Sequence, residues 1–150
     1  MTEQESQLLK DIYDSDDHCK SYRPIPEIFV LVEKLKKAGM INCTIPIKGI
    51  ESRIETVQLT QKGVSYVQDK EKALLNLYRY ENGNPDSFTV VADCFVGLNA
   101  RLDELVKSLE NEGLIISANE WKLEDGKKIF SSRHVLTKKG YLYLKNYNLI

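Results

Sequence analysis

Apolar positions along this chain fall into helical and strand-like runs that alternate in a fixed order. Leu8, Leu9 and Ile12 share one face of a helix expected over residues 4–13. Asp14-Ser15-Asp16-Asp17 ends it with residues that prefer turns and caps. Pro24 and Pro26 then break the chain. Pro26 suits the first position of a new helix, where the N–H it lacks has no intrahelical partner. That helix turns Ile28, Leu31, Val32 and Leu35 inward, and Gly39 is placed to close it in the left-handed conformation. Residues 40–45 read as a strand and Lys48-Gly49 as a turn. Residues 54–59 read as the return strand, with Ile54, Thr56 and Gln58 alternating against Glu55, Val57 and Leu59. Thr60 caps a last helix that carries Val64 and Val67.

The same order then recurs. In register, Ile28 matches Leu102, Leu31 matches Leu105, Val32 matches Val106, Leu35 matches Leu109 and Gly39 matches Gly113. Leu59-Thr60-Gln61-Lys62-Gly63 returns as Leu136-Thr137-Lys138-Lys139-Gly140. Leu74, Leu75 and Tyr78 stand where Leu8, Leu9 and Ile12 stood. Residues 81–86 form a loop and residues 89–95 a short apolar segment. Gly97 makes a turn and Asn99 caps the next helix, a helix–turn–helix pattern. A strand is expected over residues 114–121, a tight tip at Glu124-Asp125-Gly126 and a return strand over 127–136. Thr137 then caps a helix with Leu144 and Tyr147 inside. An internal repeat decides architecture first. The expectation is an α+β, predominantly helical chain of two tandem winged-helix units, residues 1–70 and 71–150. Units of roughly 70 to 80 residues are only marginally stable alone.

The first copy resembles the winged-helix core of the MarR family of regulators. Leu35, Gly39, Met40 and Ile41 match the end of that family's recognition helix. Glu51 and Arg53 match its wing pair, with Glu51 in place of the usual Asp. Leu59, Thr60 and Gly63 match the phrase that follows the wing. The second copy keeps Gly113 and Thr137 but has Lys128 and Phe130 at the wing-pair positions. The resemblance covers most of each half and implies the fold more than the function. The family spends flanking helices on dimerisation, for which this chain has little room, so a covalent pseudo-dimer is one reading.

Composition adds limits. An apolar fraction of 42% suffices for a core. No apolar run approaches the roughly 20 residues that span a bilayer, and the acidic start is unlike a signal peptide, so a cytoplasmic location is expected. Cys19, Cys43 and Cys94 have no paired spacing and read as buried small residues. Net charge is −1, unevenly spread. Residues 1–17 carry six acids against one base, and residues 71–120 nine against four. Residues 121–150 reverse this, with seven bases against two acids.

That basic end supplies the candidate site. Lys122, Lys127, Lys128, Arg133, His134, Lys138 and Lys139 surround Trp121 and Phe130, a wing suited to a phosphate backbone. Asn99 and Arg101 begin the recognition helix, where base edges are read, and Lys107 lies further along it. Asn99 also suits a helix cap, and Asp103, Glu104, Glu110 and Glu112 oppose a polyanion. Arg53 is the first copy's candidate. Asp14, Asp16, Asp17 and His18 fail the EF-hand pattern, since Cys19 and Ile25 stand where Gly and Glu are required. No phosphate-binding glycine loop or nucleophile elbow occurs, so neither cofactor, metal nor enzymatic activity is expected. The first expectation is a regulator that binds double-stranded DNA. The alternative is a winged-helix protein–protein interaction module in a larger assembly. The tyrosines of the last helix fit either packing within the chain or a homodimer interface.

Overall fold

Thr2 opens the first helix, α1 (Glu3–Tyr13), through a reciprocal capping box. Its hydroxyl accepts from the Glu5 N–H and the Glu5 carboxylate accepts from the Thr2 N–H, both at 3.2 Å. Leu8, Leu9 and Ile12 are buried on one face, as their spacing requires. The chain leaves α1 through a 3-10 turn, Asp16–His18, in which Asp17 and His18 take positive φ. His18 Nδ1–H donates to the Tyr13 carbonyl at 2.7 Å and the two rings stack.

The computed structural model describes residues 1–23, 25–44, 54–83 and 102–150. It has α+β architecture and divides into two units, Met1–Gln68 and Asp69–Ile150. In the first, β1 (Cys19–Tyr22) precedes α2 (Pro26–Lys37), and β2 (Ile41–Thr44) and β3 (Ile54–Leu59) follow. The three strands form an antiparallel sheet in the order β1-β3-β2. Val57 and Leu59 of β3 are buried, whereas Thr56 and Gln58 face out, the alternation of a half-buried strand. With Val32, Leu35, Met40 and Ile41 they complete the core begun by α1.

Two features distinguish the chain from two separate helix–turn–helix units. Among the described residues, a 3-10 turn and β1 stand between α1 and α2 where a second helix of a helix–turn–helix would lie. Positive φ at Asp17 and His18, with Pro26 opening α2, leaves too few residues there for a helix. The last helix of the first copy and the first helix of the second are also one element, α3 (Gln61–Gly83). Neither Gly nor Pro interrupts residues 64–82, so nothing stops it.

The second unit takes Asp69 onward of α3, then α4 (Leu102–Asn111), β4 (Ile115–Glu124), β5 (Lys127–Leu136) and α5 (Lys138–Asn146). Its core is Ala73, Leu74 and Leu77 of α3 with Leu105, Leu109, Leu114, Ile115 and Leu144. β4 and β5 pair over ten residues each without a bulge, from Ile115 opposite Leu136 to Glu124 opposite Lys127. Asp125 and Gly126 close the ribbon at φ 51° and 77°. Two positive φ values mark a type I′ turn, whose twist matches the flanking strands. Lys48-Gly49, the apolar segment at residues 89–95, Gly97 and the Asn99 cap lie outside the described residues. No helix among the described residues is long and apolar enough to cross a membrane.

Candidate nucleic-acid interface

The repeated phrase is a joint, built almost atom for atom twice. α2 ends with Gly39 at φ 74°, and α4 is followed by Gly113 at φ 72°. The Gly39 and Met40 N–H groups return to the Lys36 and Leu35 carbonyls at 3.0 Å each. Those of Gly113 and Leu114 return to Glu110 and Leu109 at 2.9 and 3.0 Å. This is the Schellman pattern, and it satisfies helix-end carbonyls while turning the chain into a strand.

Threonine then fastens the far end of each hairpin to that turn. The Thr60 N–H donates to the Met40 carbonyl and that of Thr137 to the Leu114 carbonyl, both at 3.0 Å. Each hydroxyl donates to a glycine carbonyl at 2.6 Å, Thr60 to Gly39 and Thr137 to Gly113. Each hydroxyl oxygen also accepts the N–H three residues on, Gly63 at 3.1 Å and Gly140 at 3.0 Å. One hydroxyl thus caps a helix and ties down a turn. The closing glycine follows from the same geometry. A Cβ on Gly63 would lie 2.2 Å from the Met40 carbonyl oxygen, and one on Gly140 would lie 2.3 Å from that of Leu114. Lys62 and Lys139 pass within ordinary contact of where a Cβ on Gly39 or Gly113 would stand. Lys62 Nζ–H goes on to the Ala38 carbonyl at 2.9 Å. Gly39, Thr60 and Gly63, which carry part of the resemblance, therefore hold the hairpin to the helix.

From this joint the second ribbon projects. Ile115 is fully buried at its base, Ile116 is 54% exposed and Leu123, beside the tip, 74%. Two further bonds hold the base to α4. Ser117 Oγ–H and His134 Nε2–H both donate to Glu110 Oε1 at 3.1 Å, and Ser117 and His134 are opposite each other in the ladder. The carboxylate only accepts, so Nε2 carries the proton.

The predicted contact residues distribute as follows. Lys127 and Lys128 are exposed at the start of β5, Lys107 on α4 and Lys138 on the first turn of α5. In the ladder Lys122 stands opposite Ile129 and Arg133 opposite Ala118. Asn99, Arg101 and Arg53 lie outside the described residues. The ribbon also carries acids, with Glu124 opposite Lys127 and Asp125 exposed at the turn. Glu104 and Glu110 are exposed on the same helix as Lys107.

Behind this surface the unit holds a buried polar seam that the sequence did not announce. Lys70 Nζ of α3 pairs with Glu112 Oε1 at 2.8 Å, with both side chains under 5% exposed. The Tyr143 hydroxyl donates to Glu71 at 3.1 Å, and Lys70 Nζ lies 4.9 Å from the Tyr143 ring centre. Burial, then the Glu71 carboxylate beside it, push the Tyr143 phenol well above its ordinary range. Tyr141 packs against Tyr78. These two tyrosines of the last helix are therefore engaged inside their own unit.

In the first unit a groove of about 440 Å³ runs over Leu8, Ile28 and Leu31, with Gln7, Asp11 and Glu27 along it. Asp11 is already committed, accepting from Lys20 at 2.7 and 2.8 Å and from the Tyr22 hydroxyl at 2.5 Å. Burial alone would raise its carboxyl, but these bonds and the Lys20 charge outweigh burial and hold it below 3.8. Among the described residues no three His, Cys, Asp or Glu side chains are grouped to hold a metal ion. Asp14 instead pairs with Lys10 at 3.1 Å. No protein-family model, curated protein or solved structure matches the chain.

Proposed function

We propose that the chain binds double-stranded DNA as a tandem winged-helix regulator, with α4 and the β4–β5 ribbon of the second unit making the contact. The observation that carries this reading is a regular ribbon of two ten-residue strands with exposed Lys127 and Lys128 near its tip, fastened to a helix bearing exposed Lys107. A winged helix lays such a helix on the groove and such a hairpin along the backbone, where lysines neutralise phosphates. Lys138 extends the positive surface onto α5. Asn99 and Arg101 remain the candidates for base readout.

Anisotropy of a labelled random duplex at about 50 and 200 mM salt tests the reading. Four lysine contacts predict a loss of affinity of roughly a hundredfold across that range, since each releases about 0.9 counterion. Replacing Lys127 and Lys128 together with Glu should remove most of the binding. Affinity that ignores salt, or that survives this double replacement, would refute the assignment.

A second reading, a protein–protein module, draws on the acids interleaved with those lysines. Glu124 faces Lys127 across the ladder, and Glu104 and Glu110 share the helix with Lys107. A surface of mixed sign suits a protein partner better than a polyanion. Absence of duplex binding even at the lower salt would favour it.

A further inference from the structure

We propose that Glu110 is a positioning residue that sets the angle between the ribbon and α4, and so decides whether Lys127, Lys128 and Lys107 reach one duplex together. The proposal rests on the DNA-binding reading above. The Schellman turn and Thr137 attach the ribbon at Gly113 and Leu114, where the chain leaves the helix. The Leu136 N–H also donates to Glu81 of α3 at 2.9 Å, at the same end of the ribbon, so these bonds gather at its base and leave a pivot there. Glu110 adds a second point, one step along the ribbon, and bonds both strands there through Ser117 and His134. Two points on a ribbon and one on a helix make a brace.

The length of the ribbon makes that brace matter. Seven residues separate Ser117 from Glu124, about 24 Å at 3.4 Å per residue. A tilt of about 10° at the base would move the tip by roughly 4 Å over such an arm. Charge-assisted contacts to phosphate close at about 2.7–2.9 Å and tolerate no such displacement. Among the described side chains of the ribbon, Ile116 and Leu123 stand in solvent, and two strands alone are marginal.

The sign of the effect separates positioning from charge. Glu110 is an exposed acid on the helix proposed to face DNA. Removing a carboxylate there raises affinity by electrostatics alone. Removing a brace lowers it. Glu110→Ala takes away both charge and acceptor, whereas Glu110→Gln takes away the charge and keeps an amide oxygen for Ser117 and His134.

The test measures both geometry and binding in the full chain. Spin labels at Lys107→Cys and Lys128→Cys, with Cys19, Cys43 and Cys94 replaced by Ser, report the helix-to-tip distance without DNA. Duplex affinity is measured separately on unlabelled E110A and E110Q. The expected result is a broadened distance distribution and roughly tenfold weaker binding for E110A, about one charge-assisted contact. E110Q should keep the narrow distribution and bind at least as tightly as the original chain. A distribution unchanged in E110A, or affinity that rises in E110A as it does in E110Q, overturns the proposal. A chain that binds no duplex overturns the DNA reading instead, and the distance distributions still decide whether Glu110 braces the ribbon.

Discussion

Replacing Thr137 with Val should destabilise the second unit by about 2 kcal/mol, with almost no change in side-chain shape. The hydroxyl makes two bonds, and valine makes neither. Loss of the cap to the Gly140 N–H costs about 0.5–2 kcal/mol by analogy with other N-caps. The Gly113 carbonyl loses its donor at 2.6 Å in a partly buried place, so it takes the lower part of the roughly 1–3 kcal/mol range for an orphaned group. Thr137→Ser keeps both bonds and should stay within about 0.5 kcal/mol of the original, the usual margin of a neutral substitution. The chain has one tryptophan, and Trp121 lies on β4, so urea unfolding followed by its fluorescence reports this unit. The midpoint should fall and the slope should hold, the mark of a change in stability alone. The first unit supplies an internal control. Thr60 makes the same two bonds at 2.6 and 3.1 Å, but its bond to Gly39 is exposed. Water then replaces the lost donor, and Thr60→Val should cost only about 1 kcal/mol. A Thr137→Val cost below about 0.5 kcal/mol, or a serine variant as damaged as the valine one, would refute the two-bond account.

Three further outcomes test the polar seam and the first unit. Lys70→Met should cost about 3–5 kcal/mol, because it strands Glu112 as a buried charge. The double variant with Glu112→Met should recover most of that loss, since Glu112 Oε2 has no hydrogen-bond partner among the described residues and the pair is imperfectly satisfied; a double-mutant cycle in urea measures both. A phenol raised on folding contributes stability that is complete below its ordinary value of 10.0 and is lost as pH rises beyond it. Tyr143→Phe should therefore weaken the second unit at neutral pH, through its lost bond to Glu71, and flatten its alkaline decline; an unchanged alkaline limb in fluorescence-monitored unfolding would refute this. Asp11 is lowered, so its contribution is present above 3.8 and fades as pH falls below that value. Asp11→Asn should reduce the acid sensitivity of the first unit, read by hydrogen exchange of α1 and β1.

Local chemistry made much of the second unit legible in the sequence. Asp125-Gly126 is a turn because both residues tolerate positive φ, and Gly39 and Gly113 close helices for the same reason. Elements whose cause lies far along the chain did not show. β1 is four residues long and exists because Cys19 and Lys20 pair with Gln58 and Val57, nearly forty residues on. Nothing in Asp69-Lys70-Glu71 signals burial, yet Lys70 is buried against a partner at position 112. Glu110 reads as one acid among several, and only the ladder that sets Ser117 opposite His134 makes it a brace.

The resemblance has the same limit, seen from the other side. Gly39, Thr60 and Gly63, like Gly113, Thr137 and Gly140, are bonded to one another through the threonine hydroxyl, which commits that hydroxyl to the joint. Any protein that joins a helix to a hairpin in this way would need them, whatever it binds, so they speak for architecture and not for DNA. Evidence about function must come from positions the joint leaves free. Those positions differ between the copies, as Glu51 and Arg53 against Lys128 and Phe130 show. The joint recurs while these positions differ in sequence, so the repeat by itself assigns no shared contact to the two copies. If the proposed duplex contact belongs to the second unit, salt-dependent binding should survive Arg53→Glu and fail with the Lys127 and Lys128 replacements.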